Sequence, residues 1–298
     1  MERVKEEMQK EKRMEKGIKR GMERRMERDM ERAEQKEIKK ETKNEAKKET
    51  QKEMQKKIQK ERTISYYNEN AEAFCAGTRT ADMSEMRGRF LRYVQPDGLI
   101  LDAGCGSGRD SKYFLEHGYR VVAMDASEEI CRLASEYLGQ AVECRRFEEI
   151  AEKEIYDGIW ACASLLHVPY VELPETIAKL GEALVDGGVL YASFKYGGEE
   201  KIRRGEKKQS EQVEGVFGKE ESEEKEEREA GGRYFTDLTE EEWKKVLAEA
   251  EKYMRGFRIE MVECFVTGDV REGRGEEKWL NVVGRKMIVS NYPPKFKK

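Results

Sequence analysis

One short segment constrains the fold of this chain more than any other: an apolar run that leads directly into a glycine-rich turn. The segment Leu99–Asp110 reads LILDAGCGSGRD, with glycines at positions 104, 106 and 108. A short apolar run bounded by turn residues is typical of a buried strand, and glycine lets the backbone turn where a side chain would obstruct it. The segment therefore predicts a strand at Leu99–Ala103, a tight turn, and a helix at Ser107–His117 that Gly118 ends.

The same alternation of strand and helix continues along the chain. Alternating elements with apolar strands favour an α/β fold whose doubly wound, mostly parallel sheet has helices on both faces. The last two strands are expected to pair antiparallel, which gives a seven-stranded sheet. The other predicted strands are Arg120–Met124, Ala141–Cys144, Tyr156–Ala161, Val189–Phe194, Phe257–Thr267 and Lys278–Val289. The other predicted helices are Ser127–Leu138, Pro169–Leu184 and Leu238–Tyr253, with a turn at 186–188 and Thr236 as the N-cap of the last helix.

Charge divides the chain into unlike parts. Residues 1–62 hold 23 basic and 16 acidic residues, whereas the rest of the chain carries a net negative charge. A second charged block, 199–229, has 12 acidic and 8 basic residues and is expected to form a mobile surface loop. The sequence thus predicts a charged extension at 1–62, a single domain at 63–290 with the insertion 199–229, and a short tail at 291–298.

The extension 1–62 lacks proline and is rich in Lys, Glu, Arg and Met, which favour helix. We expect a long charged helix or a partly disordered arm. Apolar residues four apart, such as Met14, Ile18 and Met22, suggest a coiled coil, although no sustained heptad is present. The positive charge also allows a second interpretation, an arm that binds RNA or another polyanion.

The residues around the glycine turn indicate what it binds. A glycine turn at the carboxyl end of a strand, followed by a helix N-terminus, is where an α/β sheet binds a nucleotide-like ligand. Asp102 opens this turn, and a carboxylate would repel the pyrophosphate of a dinucleotide but would attract an ammonium group. Arg109 occupies the place where a dinucleotide fingerprint has its third glycine. Asp125, which follows the second strand, suits a pair of ribose hydroxyls. These features favour S-adenosylmethionine, which has an amino-acid head and no phosphate.

At this point the sequence resembles a known family. Tyr66–Lys286 looks like bacterial class I S-adenosylmethionine-dependent methyltransferases of the ubiquinone-biosynthesis and tellurite-resistance type, which have a Rossmann-like fold. The resemblance rests on YYNENAEAF, LDAGCGSGRD, VVAMDAS, YDGIWACASLLHVP, LVDGGVLYASFKYG, RYFTD and WLN.

The resemblance implies roles for particular residues. The turn and the second strand would hold the cofactor, Arg146 and Phe147 would lie beside its adenine, and Ala163–His167 would face the methyl group. Tyr66 and Tyr67 would form a lid. Arg146 departs from the family pattern, which has an acid there. The predicted cofactor-binding residues are Tyr67, Asp102, Ala103, Gly104, Cys105, Gly106, Gly108, Asp125, Ala126, Arg146, Phe147 and Ala163. His167 is the candidate general base, because the ordinary pKa of histidine lies near neutrality.

These observations predict methyl transfer from S-adenosylmethionine to an unidentified small molecule. ACASLLHV replaces the Asn/Asp-Pro-Pro-aromatic loop of exocyclic-amine methyltransferases, and no Pro-Cys pair exists for cytosine C5 chemistry. The alternatives are an RNA methyltransferase that uses residues 1–62, and a non-catalytic scaffold that binds the cofactor. Six scattered cysteines and two histidines predict no metal site, and the absence of a long apolar run predicts a cytoplasmic protein without a membrane partner. Lys195, Tyr196, Tyr234, Phe235, Arg271 and Trp279 are further candidates to line an acceptor pocket.

Overall fold

The structure is a computed structural model that describes residues 54–197, 200–204, 232–271 and 273–289, and positions 14, 16, 17, 22, 42, 43, 47, 50 and 51. The chain divides into two compact units, Met1–Lys57 and Ile58–Lys298. The described residues of the first unit are helical. The coiled-coil and nucleic-acid interpretations of residues 1–62 fall mostly outside the described residues.

The second unit is built on a seven-stranded sheet with the order β3-β2-β1-β4-β5-β9-β8. The first five strands of the chain pair parallel, and β9 runs antiparallel to both β5 and β8. The predicted fold class, a doubly wound and mostly parallel seven-stranded sheet, is confirmed. The strands are β1 (Leu99–Ala103), β2 (Arg120–Asp125), β3 (Glu143–Cys144), β4 (Tyr156–Ala161), β5 (Leu184–Lys195), β8 (Phe257–Gly268) and β9 (Lys278–Ile288).

Helices cover both faces of this sheet, and each face has its own hydrophobic core. One core joins three helices to the sheet through Phe90, Phe114 and Trp160, whose ring stacks on Tyr191 at 3.9 Å. The other core packs two helices around the buried Trp243. In the second unit, α1 comprises residues 58–69. The other helices are α2 (Ala71–Thr78), α3 (Ser84–Leu91), α4 (Arg109–Glu116), α5 (Glu128–Leu138), α6 (Leu173–Ala183) and α7 (Glu240–Ala250).

The ends of the helices follow from local side chains. The Ser127 hydroxyl accepts a hydrogen bond from the Ile130 amide and begins α5, and Gly139 ends that helix in the left-handed conformation. The N-cap predicted at Thr236 is wrong. Thr239 caps α7 because Glu242 completes a reciprocal capping box with it, whereas the Thr236 hydroxyl donates to the buried carbonyl of Val168.

Other boundaries differ from the prediction where a tertiary contact decides them. The helix expected at Pro169–Leu184 is a 3-10 turn at Tyr170–Glu172 followed by α6. The turn at 186–188 is a bulge inside β5, since Tyr156 pairs with Leu184 and Gly158 with Val189. The start of the insertion 199–229 is a strand, β6 (Glu200–Arg204), paired antiparallel with β7 (Gly232–Thr236).

The second compact unit begins at Ile58, and the predicted domain boundary at residue 63 stays a prediction. The first turn of α1 contacts other elements of this unit. The side-chain amide of Gln59 donates a hydrogen bond to the Gly232 carbonyl at 3.3 Å. Lys60 forms ion pairs with both Glu148 and Glu172.

Candidate active site

The glycine turn lies at the carboxyl end of β1, where the sheet order places it between β2 and β4. The amides of Gly104 and Cys105 both donate to the Met124 carbonyl at 2.8 Å, which ties the turn to the end of β2. Gly104 has a φ of +85°, and a Cβ there would lie 2.4 Å from the Cβ of Ser164. Only glycine fits this position, because a side chain would meet both steric and conformational strain.

Asp125 ends β2 and faces the turn with both carboxylate oxygens. Oδ2 accepts a hydrogen bond from the Gly106 amide at 3.1 Å, and Oδ1 accepts one from the Ser127 amide at 3.0 Å. Burial raises the pKa of Asp125, although these amide hydrogen bonds oppose the shift. Each carboxylate oxygen has a second lone pair, so the side chain can still accept hydrogen bonds from two hydroxyl groups of a ligand.

Asp102, the acid that opens the turn, is almost completely buried in β1. Its carboxylate accepts a hydrogen bond from the Ser111 hydroxyl at 2.6 Å. Burial, with the charge of nearby Asp110, raises the pKa of Asp102 to about 7. A cation at this end of the cavity would favour the ionised form, as expected for the ammonium of an amino-acid head.

Arg109 shows why the dinucleotide glycine is absent. Its guanidinium pairs with Asp110 at 2.6 Å and donates to the Thr78 carbonyl at 3.3 Å, which ties α2 to the start of α4. Asp110 also pairs with Arg87 and accepts a hydrogen bond from the Trp160 indole at 3.0 Å. The sequence pattern identified Arg109 only as a missing glycine, because Thr78 and the other partners of Asp110 lie on distant segments.

Two aromatic residues from α1 and α2 cover the turn. Phe74 lies over Gly106, where an added Cβ would approach its ring to 3.2 Å. Tyr67 packs edge-on against Phe74, with the ring centroids 5.1 Å apart. Tyr67 and Phe74 therefore pack together at the glycine turn, and the lid role of Tyr66 and Tyr67 stays a prediction.

His167 lies in the 3-10 turn Leu165–His167, after β4. Its Nδ1 donates a hydrogen bond to the Tyr234 carbonyl at 2.6 Å. Nε2 therefore carries no proton and accepts a hydrogen bond from the Tyr67 hydroxyl at 2.9 Å. Burial lowers the pKa of His167 to about 4. The imidazole is therefore neutral near pH 7, and both of its nitrogens are engaged.

The opposite corner of the cavity holds the residues predicted to lie beside an adenine. Arg146, where the family pattern has an acid, pairs with both carboxylate oxygens of Glu61 from α1 at 2.8 and 2.9 Å. Glu61 itself does not line the cavity, so this ion pair holds Arg146 from outside it. Ala163, at the end of β4, has a φ of +51°, and its amide donates to the Ser193 hydroxyl at 2.8 Å. A non-glycine residue in this conformation is strained, as is common at functional sites.

The far wall of the cavity comes from the ends of β5, β7, β8 and β9. Lys195 pairs with Glu277, and its ammonium lies within 6 Å of the Phe235 and Trp279 ring centroids. The Trp279 indole donates to Asp269, which also pairs with Arg271. The predicted candidates Tyr196 and Tyr234 do not line the cavity.

One cavity of about 400 Å³ connects all these elements, within the size range of small-molecule sites. Ala103 and Gly108 do not line it. Ala103 is buried and its carbonyl accepts the Ser164 hydroxyl, while Gly108 is the N-cap of α4. Of the predicted site residues, those that line the cavity are Tyr67, Asp102, Gly104, Cys105, Gly106, Asp125, Ala126, Arg146, Phe147, Ala163 and His167.

Phe74, Ser193, Arg233 and Glu277 also line the cavity, although they were not among the predicted site residues. Three of them lie in quoted motifs, Phe74 in YYNENAEAF, Ser193 in LVDGGVLYASFKYG and Arg233 in RYFTD. Within the described part of the chain, no helix is long and apolar enough to span a membrane. The same residues contain no group of three metal-ligating side chains.

Residues 100–188 match a family model described as a methyltransferase domain. A malonyl-[acyl-carrier protein] O-methyltransferase of Pectobacterium atrosepticum is 32% identical over 136 residues, which cover 42% of this chain and 53% of that protein. The chain thus spans about half the length of this curated relative.

Similar solved structures are methyltransferases as well. A Burkholderia thailandensis 1,6-didemethyltoxoflavin-N1-methyltransferase, bound to S-adenosylhomocysteine, has a TM-score of 0.53 and 19% identity over 76% of this chain and 87% of that one. An S-adenosylmethionine-dependent methyltransferase of Methanosarcina mazei has a TM-score of 0.52 and 18% identity over 67% of this chain and 97% of that one. The chain shares the fold of these proteins.

Proposed function

We propose that this chain, which has the class I methyltransferase fold and a methyltransferase domain at residues 100–188, transfers a methyl group from S-adenosylmethionine to a small molecule. The observation that carries this proposal is the single cavity that extends from the glycine turn and Asp125 to His167, Ser193 and Lys195. Such a cavity can hold a methyl donor at one end and an acceptor at the other.

The residues at the donor end fit S-adenosylmethionine. Gly104 and Gly106 allow Ser164 and Phe74 to pack directly on the turn, since these two side chains fill the space that a Cβ would need. In this proposal Asp125 accepts the ribose hydroxyls, Asp102 faces the ammonium group, and Phe147 packs on the adenine. Two carboxylates on this wall favour a cation and disfavour a pyrophosphate, which supports this cofactor over a dinucleotide.

When bound, S-adenosylmethionine supplies an electrophilic methyl group, and the protein contributes mainly position and the exclusion of water. The base role predicted for His167 stays a prediction. A histidine with a pKa of about 4 removes protons poorly at pH 7, and its Nε2 accepts the Tyr67 hydroxyl. The geometry therefore favours a positioning role for His167, in which it holds Tyr67 over the cavity.

Calorimetry with S-adenosylmethionine and with NAD tests the donor assignment. We expect S-adenosylmethionine to bind, NAD not to bind, and Asp125→Ala to weaken the binding of S-adenosylmethionine. Tighter binding of NAD, or binding that Asp125→Ala leaves unchanged, would contradict the proposal.

The acceptor can be sought by incubating the protein with methyl-labelled cofactor and a cell extract. We expect label in a small molecule, because the cavity is closer in size to a metabolite than to a polymer. Label confined to RNA would favour the alternative based on residues 1–62. Binding of the cofactor with no labelled product would favour a scaffold. Detection of the protein itself in cytoplasmic and membrane fractions would test the predicted cytoplasmic location.

A further inference from the structure

Six basic side chains that line the cavity are neutralised by the protein itself. Each of them forms an ion pair with at least one carboxylate, so its charge is already matched. They are Lys60, Arg109, Arg145, Arg146, Lys195 and Arg271.

Arg233, on β7, lines the same cavity and differs from these six. Among the described residues, no carboxylate forms an ion pair with its guanidinium. Its Nη1 donates to the Tyr67 hydroxyl at 3.4 Å, whereas its Nε is buried and has no hydrogen-bond partner in the described part of the chain. The guanidinium lies over the Tyr66 ring at 4.5 Å and 5.2 Å from the Phe235 ring centroid.

An arginine held between aromatic rings with donors unused is arranged to receive an anion. The rings restrict the side chain and attract its charge, but they do not satisfy its N–H donors, and a partly buried charge without a partner is unfavourable. The planar guanidinium presents parallel N–H groups that match the two oxygens of a carboxylate.

The position of Arg233 assigns this anion to the acceptor. Arg233 contacts Tyr67, which packs against His167, and Phe235 continues the wall toward Lys195 and Trp279. The proposed ammonium site at Asp102 lies instead on β1, beneath the glycine turn. We propose that Arg233 pairs with a carboxylate of the methyl acceptor, so that the acceptor is a small carboxylic acid whose apolar body packs on Phe235 and Trp279. This inference rests on the proposed methyl transfer, since it names the acceptor class of that same site.

The test uses the full chain saturated with S-adenosylhomocysteine and two matched pairs of probes, benzoate with benzamide and hexanoate with hexanamide. Binding is measured by calorimetry and by the change in tryptophan emission, since Trp279 is the one of the three tryptophans that lines the cavity. At least one carboxylate should bind about 10- to 100-fold more tightly than its amide, as expected for hydrogen bonds between charged groups. Arg233→Gln should reduce that preference to within twofold and leave S-adenosylhomocysteine affinity within twofold of the unsubstituted protein.

Arg285→Gln is the matched control. Arg285 is also on a strand, also lies over a tyrosine ring and also has a buried Nε without a partner among the described residues, but it is outside the cavity. It should keep the full carboxylate preference.

The outcomes separate the two proposals. If S-adenosylhomocysteine binds but the amides bind as well as the carboxylates, the role of Arg233 is wrong and the methyl-transfer proposal stands. The role of Arg233 is equally wrong if Arg233→Gln keeps the preference for carboxylates over amides. It is also wrong if Arg233→Gln weakens the binding of S-adenosylhomocysteine as much as the binding of the carboxylates, because that result would assign Arg233 to the cofactor. If the unsubstituted protein does not bind S-adenosylhomocysteine, both proposals fail.

Discussion

Replacing Asp125 with asparagine tests the donor site most directly. Each carboxylate oxygen of Asp125 accepts one backbone amide, from Gly106 or from Ser127, and keeps a lone pair for a ribose hydroxyl. Asparagine has one oxygen and one NH₂ group. Whichever way the amide is oriented, the NH₂ group faces a backbone N–H, so one loop contact is lost, and the ribose hydroxyl on that side can no longer donate to a charged oxygen.

The size of the effect follows from this count. A hydrogen bond to a charged group contributes about 1.5–3 kcal/mol, and we expect Asp125→Asn to weaken S-adenosylhomocysteine binding by about 2–3 kcal/mol. That range corresponds to a dissociation constant about 30 to 150 times larger.

Calorimetric titration of the folded variant measures this change, and Asp157→Asn provides a matched control. Asp157 accepts the Leu99 amide at 2.7 Å, at the opposite end of β1 and outside the cavity. Its substitution should lower the free energy of unfolding and leave the affinity for S-adenosylhomocysteine nearly unchanged. A loss below threefold for Asp125→Asn, or an equal loss for Asp157→Asn, would refute the assignment of Asp125 to the ribose.

Three further predictions address the same site. Gly104→Ala should lower the free energy of unfolding by about 2–5 kcal/mol in urea titrations, because alanine is strained in the left-handed conformation and its Cβ would clash with Ser164. Adding Ser164→Gly to this variant should partly restore the free energy of unfolding, and no recovery would argue against the clash. The affinity for S-adenosylhomocysteine should rise between pH 6 and 8 with an apparent pKa near 7, because only ionised Asp102 attracts an ammonium group. Asp102→Asn should flatten this dependence of affinity on pH, and an unchanged dependence would exclude Asp102 as its source. The free energy of unfolding should fall as the pH decreases from 6.5 toward 4, because His167 is protonated at a higher pH in the unfolded chain than in the folded one. A His167→Gln variant whose free energy of unfolding depends on pH with the same slope would show that other groups cause the effect.

The sequence by itself determined the sheet and the glycine-turn end of the cavity. The strand at Leu99–Ala103, the glycines after it and Asp125 are encoded in short segments, where apolar runs and obligatory glycines leave few alternatives. Because parallel strands place their carboxyl ends at one edge of a sheet, these local patterns were enough to bring Gly104, Gly106 and Asp125 together.

Only the tertiary structure decided which charges are matched and which side chains meet across the cavity. Tyr67 and His167 are 100 positions apart and Lys195 and Glu277 are 82 apart, so no local period links them. The N-cap of α7 is Thr239 and not the predicted Thr236, because the Thr236 hydroxyl donates a hydrogen bond to the carbonyl of Val168, which is far away in sequence. In the sequence, nothing distinguishes Arg233 from the other arginines of this highly charged chain. In the fold, six other basic side chains of the cavity pair with carboxylates, whereas the guanidinium of Arg233 faces the cavity without such a pair among the described residues.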